Sequence, residues 1–180
     1  MAFERVGGEE IWQGTIAGVR RDRFRHDDGE EVTREIVSHP GAVAVVAHDE
    51  RQLYLVTQPR EAVGHPALLE LPAGKLDAEG ETPLDTARRE LAEEIGKTAS
   101  DWSHLVTFFA SPGFSNEEIH VYLATGLSDA QGVAAAEEEE ERLELVTVPL
   151  EKLDSVIEEC RDAKTLIGLL WFRVFRERHA

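Results

Sequence analysis

The chain has 180 residues, of which 42% are hydrophobic, so it is long enough for one domain with a packed core and too apolar for a disordered acidic segment. Its formal net charge of −17 disfavours binding to a nucleic-acid backbone, and no apolar run is long enough to span a membrane. We therefore expect no nucleic-acid or membrane partner. Because the first residues lack a signal-peptide pattern and Cys160 has no second cysteine to pair with, we expect a cytoplasmic protein.

The first half of the chain is rich in strand-like segments. Residues 11–24 and 31–39 are polar and extended, and Asp27-Asp28-Gly29 is a turn signal between them, which predicts a small antiparallel sheet. Further strands are predicted at residues 41–48, 53–57, 105–109, 119–124 and 143–148, loops at 59–66 and 111–117, and one or two helices from residue 150 onward. Together these elements indicate a mixed sheet covered by helices.

The best specified element is a helix at residues 82–96. Thr82 is a favourable N-cap, Pro83 suits the first helical position, and Asp85 completes a capping box. Gly96 provides the C-terminal stop. One face of this helix is apolar at about 100° per residue and is predicted to be buried. Its residues are Leu84, Ala87, Leu91 and Ile95.

Three glutamates, Glu90, Glu93 and Glu94, crowd the last two turns of this helix. The helix macrodipole disfavours each anion there by about 0.3–1 kcal/mol, and Glu90 and Glu94 repel each other at i, i+4 spacing. One interpretation is a solvated acidic face. The other is a site for a hard divalent cation, because Mg²⁺ binds carboxylate oxygens together with substrate phosphates. Such a cation would also neutralise the phosphate charge that an acidic protein repels.

A known family shares this pattern. Gly74, Glu81 and the run Arg89-Glu-Leu-Ala-Glu-Glu-Ile-Gly96 resemble the Nudix hydrolase signature, G-x5-E-x7-R-E-U-x-E-E-x-G-U. Six residues separate Gly74 from Glu81 where the signature has five, which indicates one extra turn residue at position 78 or 79. Lys97 occupies the final aliphatic position. Neither departure changes the Arg-Glu and Glu-Glu core of the signature.

Segments on either side of the signature resemble the ADP-ribose pyrophosphatases within that family. They are Leu69-Glu-Leu-Pro-Ala-Gly74, Gln58-Pro-Arg60 and Ser111-Pro-Gly-Phe-Ser-Asn-Glu117. Pro112 lies fifteen residues past Lys97, at the position where that group has a proline. The resemblance extends from about residue 11 to residue 150, which is most of the chain.

The resemblance implies a fold of the α/β (α+β) class, a Nudix-type α/β/α sandwich around a mixed sheet, with an N-terminal antiparallel strand extension. Residues 1–40 would form the extension and residues 41–180 the hydrolase domain. In the ADP-ribose pyrophosphatases the front strands commonly exchange between two subunits, and those of this chain are too polar to form a core alone. We therefore expect a homodimer.

The resemblance also implies a metal centre for Mg²⁺, with Mn²⁺ as a substitute. Glu90, Glu94 and the carbonyl oxygen of Ala73 would be the metal ligands, and Glu93 an additional or shared one within the catalytic set. Arg89, also in that set, would orient the carboxylates by bidentate pairing. The alternative for Arg89 is a plain surface salt bridge.

The acidic run at residues 137–141 has two interpretations. Its composition is typical of a solvated loop. In the ADP-ribose pyrophosphatases, however, an acidic loop before this strand supplies the catalytic base and sometimes another metal ligand. The resemblance assigns Glu139 as the base and Glu141 as a ligand, with Glu138 and Glu140 as close alternatives.

Two arginines are candidates for the substrate diphosphate, because a planar guanidinium matches phosphate oxygens. They are Arg60 and Arg34, although an exposed strand-end arginine is an equal alternative for Arg34. Glu117 is assigned to the terminal ribose or to a metal-bound water. Trp12 or Phe24 is a candidate to stack on adenine, but an aromatic residue in a strand more often packs.

The function that the resemblance implies is Mg²⁺-dependent hydrolysis of the diphosphate of a nucleoside diphosphate derivative. The favoured substrate is ADP-ribose, which would give AMP and ribose 5-phosphate. A nucleotide sugar, NADH or a dinucleoside polyphosphate is an alternative substrate. A nucleotide-sensing Nudix module without catalysis is an alternative of another class, against which the intact Arg89-Glu90 and Glu93-Glu94 pairs argue.

Overall fold

The computed structural model describes residues 2–131 and 142–179, which form ten β-strands and three α-helices. Within these ranges, none of the helices has both the length and the apolar character that a membrane crossing requires. The chain divides into two units. The first comprises Met1–Gly41 and Phe109–Glu118, and the second comprises Ala42–Phe108 and Ile119–Ala180.

The first unit contains a three-stranded antiparallel sheet in the order β1-β2-β3. Its strands are β1 (Phe3–Gln13), β2 (Gly18–His26) and β3 (Glu31–Ser38). The prediction of one extended stretch over residues 11–24 is wrong, because the chain turns at residues 14–17. In this turn the N–H of Gly14 donates to the carbonyl of Ala17 at 2.9 Å. The segment thus contributes to two paired strands, β1 and β2.

Few side chains of the first unit are shielded from solvent. Among its described residues, no large apolar side chain is buried, whereas the carboxylate of Asp22 is. Arg5 donates to Oδ1 of Asp22 at 2.9 Å, and Nη2 of Arg20 lies 3.5 Å from Oδ2. The hydrogen bond from Arg5 lowers the pKa of Asp22 despite its burial. The described part of this sheet is therefore held by strand pairing and charge pairs, with little apolar core.

The second unit is built on a seven-stranded mixed sheet. Its strands are β4 (Ala42–His48), β5 (Gln52–Arg60), β6 (His65–Glu70), β7 (Ala73–Lys75), β8 (Lys97–Phe109), β9 (Glu118–Asp129) and β10 (Glu144–Pro149). The main order is β10-β5-β4-β9-β8, with β6 beside β5 and β7 beside β4. Strand β4 is parallel to β9 and antiparallel to β5 and β7, so the sheet is mixed as predicted.

Strand β4 lies in the interior of the sheet, and both of its faces are covered. The helices of this unit are α1 (Pro83–Ile95), α2 (Leu153–Glu159) and α3 (Ala163–His179). Residues 43–47 are fully buried, and alternate residues of a strand point to opposite faces. Val43 and Val45 pack in one cluster with α1, whereas Val46 lies against Gly168 of α3. The sheet therefore has helices on both faces, and the predicted α/β/α sandwich is confirmed.

Helix α1 begins and ends where its caps predict. The hydroxyl of Thr82 accepts from the N–H of Asp85, and the carboxylate of Asp85 accepts from the N–H of Thr82. Gly96 follows the last helical residue with a φ of 64°, and its N–H donates to the carbonyl of Ala92 at 3.1 Å. A left-handed backbone at this position favours glycine. Local chemistry alone thus determines both ends of α1.

Three strands extend further than their patterns predict, and one of them is β9, which continues to Asp129 and not only to residue 124. Residues 59–66 are not simply a loop, because β5 continues to Arg60, a short 3₁₀ turn follows at Glu61–Val63, and β6 begins at His65. Strand β8 begins at Lys97, directly after α1, and not at residue 105. These stretches are polar, and their strand structure comes from pairing with neighbouring strands more than from burial.

A substitution at Gly96 tests the C-terminal cap. Gly96→Ala forces a Cβ into a left-handed conformation and is expected to lower the free energy of unfolding by about 1 kcal/mol. Gly113→Ala is the matched control, because residue 113 has an ordinary φ and a Cβ added there would meet no atom within 4 Å. Urea denaturation followed by circular dichroism measures both variants. Equal stability of the two would contradict the assigned role of Gly96.

Candidate active site

Three carboxylates project from the last two turns of α1. Glu90 is buried, with 6% of its surface exposed, and Glu93 and Glu94 are half-buried. Their spacing of three and four residues makes them neighbours on one side of the helix. Partial burial adds to their repulsion, so these side chains need cations or N–H donors beside them.

Residues 72–74, which lead from β6 into the first two residues of β7 and which we call the glycine turn, lie against two of these carboxylates. The N–H of Ala73 donates to Oε2 of Glu94 at 2.9 Å. A Cβ atom at Gly74 would lie 2.0 Å from Oε1 of Glu90, so this carboxylate occupies the space that the glycine leaves. Strand β7 pairs with β4, which anchors the turn to the centre of the sheet. The turn therefore positions Glu90 and Glu94 from the backbone side.

Arg89 lies among the carboxylates. Its Nη1 donates to Oε1 of Glu90 at 2.7 Å and to Oε2 of Glu93 at 2.8 Å, and its Nε donates to Oε1 of Glu81 at 3.2 Å. Partial burial favours the neutral guanidinium, but the hydrogen bond to Glu81 and the charges of Glu90 and Glu93 raise the pKa of Arg89 above its ordinary value. The bond from Arg89 also lowers the pKa of Glu81. Arg89 is thus a permanent cation that holds three glutamates.

The donor set of this site suits a hard divalent cation. Glu90, Glu93, Glu94 and the carbonyl of Ala73 offer oxygen atoms, which Mg²⁺ and Mn²⁺ prefer. Across residues 2–131 and 142–179, no three His, Cys, Asp or Glu side chains are grouped as a ready metal site. In the structure, Arg89 holds Glu90 and Glu93, while Glu94 bonds to Ala73. A cation here would replace some of these bonds by coordination.

A second charge cluster lies at the end of β6. Glu70 is 1% exposed, and Arg60 donates to its two oxygens from Nε at 2.6 Å and from Nη2 at 2.7 Å. Lys164, in the first turn of α3, also donates to Glu70. Burial favours the neutral carboxyl, but the hydrogen bonds and charges of Arg60 and Lys164 outweigh it and lower the pKa of Glu70. Glu70 is therefore an ionised buried carboxylate between two cations.

Arg60 connects this cluster to the carboxylates of α1. The hydrogen bond to Glu70 is the main reason why the pKa of Arg60 is raised, and the negative charge of Glu94 adds to the rise. The Arg60 side chain is 43% exposed, so a ligand can reach its guanidinium. The structure thus brings Arg60, a predicted diphosphate contact, within electrostatic range of Glu94, a predicted metal ligand.

Arg34 and Glu117 belong to the first unit. Arg34 is an exposed residue of β3 that lines a cavity of ≈ 340 Å³ together with Phe24. Glu117 has a carboxylate oxygen 3.7 Å from Nδ1 of His39. Trp12, the other candidate for adenine stacking, is exposed on β1. Phe24 is the candidate that shares a cavity with a predicted phosphate-binding arginine.

The predicted base Glu139 and the predicted ligand Glu141 lie outside the described residues, as do their alternatives Glu138 and Glu140. Their roles stay predictions from the resemblance. The roles of the other site residues also stay predictions, although the structure describes the positions of these residues.

Sequence reasoning missed the partners of Glu70. One signal was present, since a single carboxylate inside the apolar run Leu68–Leu71 predicts a buried and paired charge. Lys164 lies 94 residues further along the chain, so no local pattern connects it to Glu70. The pairing becomes visible only when α3 is placed on the sheet.

Sequence comparisons place these features in a family. A family model described as "NUDIX domain" matches residues 37–167. An ADP-ribose pyrophosphatase of Mycobacterium tuberculosis is 48% identical over 138 residues, which cover 76% of this chain and 66% of that protein. A methanol dehydrogenase activator of Bacillus methanolicus is 38% identical over 92% of this chain and 90% of its own length. An ADP-ribose pyrophosphatase of Bacillus subtilis is 37% identical over 94% of this chain and 91% of its own length.

A solved structure shares the fold. The crystal structure of an ADP compounds hydrolase superposes with a TM-score of 0.85 at 20% identity, over 100% of this chain and 97% of that one. The predicted resemblance to Nudix hydrolases, and to ADP-ribose pyrophosphatases among them, is confirmed by the sequence matches. The chain, with its carboxylate helix and its glycine turn, belongs to the Nudix hydrolase family.

Proposed function

We propose that this Nudix hydrolase uses Mg²⁺ to cleave the diphosphate of ADP-ribose into AMP and ribose 5-phosphate. The observation that carries the proposal is the cluster of Glu90, Glu93 and Glu94 around Arg89 and against the turn at Gly74. Nudix hydrolases act in general on small nucleotide substrates. Two relatives named ADP-ribose pyrophosphatase, at 48% and 37% identity, support the choice of substrate.

Nudix hydrolases depend in general on a divalent metal. In this chain, Glu90 and Glu94 would hold it, with Glu93 and the carbonyl of Ala73 as further ligands. A cation held there neutralises the charge of phosphate oxygens and makes a water molecule more acidic. We propose Mg²⁺, because oxygen ligands combined with substrate phosphates are its usual setting, and we expect Mn²⁺ to substitute.

The side chains of the protein supply orientation and electrostatic stabilisation. Arg89 holds Glu90 and Glu93 of α1 in place through hydrogen bonds. Arg60 binds the diphosphate through the side of its guanidinium that faces away from Glu70. Glu139 remains the predicted base that takes the proton of the attacking water, and Glu141 a predicted further ligand. Preorganised charges at the metal centre stabilise the charge that develops in the transition state, whereas Arg60 contributes binding of the diphosphate.

Other substrates and a role without catalysis are the alternatives. A nucleotide sugar, NADH or a dinucleoside polyphosphate would need the same carboxylate helix and a different pocket for the second moiety. A nucleotide sensor would need a pocket that binds the nucleotide, but it would not need the carboxylates of α1. The complete set of Glu90, Glu93 and Glu94, all held by hydrogen bonds, favours an enzyme over a sensor. Arg34 and Glu117 stay predicted substrate contacts.

We also propose that the first unit mediates a homodimer. Its described part buries no large apolar side chain but exposes six of them. They are Phe3, Ile11, Trp12, Ile16, Phe109 and Phe114. A unit that exposes large apolar side chains and buries none of them supports an interface with another protein, and a two-fold homodimer is the commonest arrangement. A cytoplasmic location and the absence of nucleic-acid and membrane partners remain expectations from the sequence.

A substrate panel tests the proposed reaction. With Mg²⁺ present, ADP-ribose is expected to give equal amounts of AMP and ribose 5-phosphate, at a kcat/KM about tenfold or more above that for ADP-glucose, NADH or diadenosine polyphosphates. Chromatography separates the products, and ¹⁸O-labelled water identifies the phosphorus that is attacked. A higher kcat/KM for another compound would replace ADP-ribose as the substrate. Tight binding of ADP-ribose without release of AMP would favour the sensor.

Glu94→Gln tests the carboxylate cluster. The amide keeps the size of the side chain and removes the charge, so we expect an unchanged fold and a loss of Mg²⁺-dependent turnover of about a hundredfold or more. Glu158→Gln, on the exposed side of α2, is the matched control and should keep full activity. Circular dichroism checks the fold of both variants. Full turnover by Glu94→Gln would refute its assignment as a ligand.

Trp12→Glu tests the proposed dimer. A buried carboxylate at an apolar interface is costly, so sedimentation velocity should show a shift from dimer toward monomer. Trp171→Glu is the matched control, because Trp171 is an exposed tryptophan of α3 in the second unit. A monomeric wild-type protein, or a dimer that tolerates Trp12→Glu as well as Trp171→Glu, would contradict the proposal.

A further inference from the structure

The starting observation is the buried Glu70, a carboxylate outside the set on α1. It is 1% exposed and accepts hydrogen bonds from Arg60 and Lys164. An ionised carboxylate at this depth requires compensating cations, and two are present. Lys164 also pairs with Asp162, so the charges of the four groups balance, and the cluster affects a nearby anion through the way it orients the exposed Arg60.

The hydrogen bonds of Arg60 determine where its remaining donor groups point. Nε and Nη2 donate side by side to the two oxygens of Glu70, at 2.6 Å and 2.7 Å. Because the guanidinium is planar, this arrangement leaves Nη1 on the side away from Glu70. The side chain is 43% exposed, so that side is accessible. Glu70 therefore holds Arg60 in one orientation with donors presented outward.

Lys164 affects how strongly the negative charge of Glu70 reduces the positive potential of Arg60. Nζ of Lys164 contacts Glu70 and also Asp162 at 3.0 Å. Asp162 accepts in addition from the N–H of Thr165 at 3.0 Å and from its hydroxyl at 2.6 Å. These donors at the beginning of α3 hold the carboxylate of Asp162 in place. Lys164 therefore bridges the two carboxylates and offsets part of the negative charge of Glu70, so that Glu70 reduces the positive potential of Arg60 less.

The same turn of α3 is tied to the backbone of the active site. The hydroxyl of Thr165 accepts from the N–H of Leu71 at 2.7 Å, and both groups are buried. Leu71 immediately precedes the turn that contains Ala73 and Gly74. The first turn of α3 thus contacts both the arginine cluster and the chain that leads to the carboxylates of α1.

We propose that Lys164 is a positioning residue for the reaction, acting through Glu70 to orient Arg60 and to preserve its charge for the substrate diphosphate. This inference rests on the proposed function, because it requires a substrate whose phosphates Arg60 binds. Lys164 itself does not contact the substrate. Its removal should therefore weaken binding of the diphosphate and leave the chemical step almost unchanged.

Lys164→Met removes the charge and keeps most of the length of the side chain. We expect KM for ADP-ribose to rise about tenfold while kcat changes by less than about twofold. A merely structural role would lower the fraction of active enzyme, and hence the apparent kcat, at constant KM. Lys164→Arg keeps the charge and is expected to stay within about threefold of the wild-type KM.

A double-mutant cycle with Arg60→Met tests whether Lys164 acts through Arg60. If it does, the KM of the double variant should lie within about twofold of the KM of Arg60→Met. The reason is that the Lys164 substitution can no longer affect KM once Arg60 is replaced. Independent effects that multiply would overturn the proposal, as would a fall in kcat at unchanged KM. Lys152→Met, an exposed lysine of the same unit, is the control for loss of one positive charge and should match wild type.

Binding of ADP, measured by calorimetry in the same variants, separates this inference from the proposed function. If the wild type does not hydrolyse ADP-ribose, the proposed function fails. The double-mutant cycle is then evaluated from the dissociation constants for ADP in place of the KM values. Coupling between Lys164 and Arg60 in that constant supports the inference. Absence of coupling, or absence of ADP binding by the wild type, overturns it. If Lys164→Met does not fold, Lys164→Gln takes its place in the cycle.

Discussion

The contact of one arginine with the glutamates on and before α1 is the constraint on which the rest of the site depends. Three carboxylates near the C-terminal end of a helix repel one another and oppose the macrodipole. Arg89 counters this by donating to Glu90, Glu93 and Glu81 at 2.7–3.2 Å. The helix can carry this arrangement because its caps and its buried stripe stabilise it independently of the charges. Electrostatic strain is thus confined to one face.

The backbone of the neighbouring turn has to approach this face closely, and its anchors explain how it does. Gly74 leaves the space in which the Glu90 carboxylate lies, and the N–H of Ala73 donates to Glu94. Pairing of β7 with β4 holds one end of the turn, and the bond between Leu71 and Thr165 of α3 holds the other. The carboxylate positions therefore depend on both layers of helices, although all three glutamates belong to α1.

Local and non-local features differ in how far the sequence predicts them. Helix α1 follows from its caps and periodicity, and the glutamate pattern identified the family, because all of these signals lie within about twenty residues. The partnership of Glu70 with Lys164 spans 94 residues and has no local signature. The early start of β8 at Lys97 was equally hidden, since its polar residues are ordered by a neighbouring strand and not by an apolar pattern.

The acidity of the chain and its proposed anionic substrate are compatible because charge acts over different distances in the two cases. A net charge of −17 repels an extended polyanion, which samples the surface as a whole. Exposed charges further than about 8 Å from a small ligand are largely screened at physiological ionic strength. A diphosphate beside Arg60 would therefore respond mainly to nearby groups, and there the carboxylate of Glu70 holds the cation in place. Glu70 contributes to such a site by fixing the orientation of Arg60, although its own negative charge repels the phosphates.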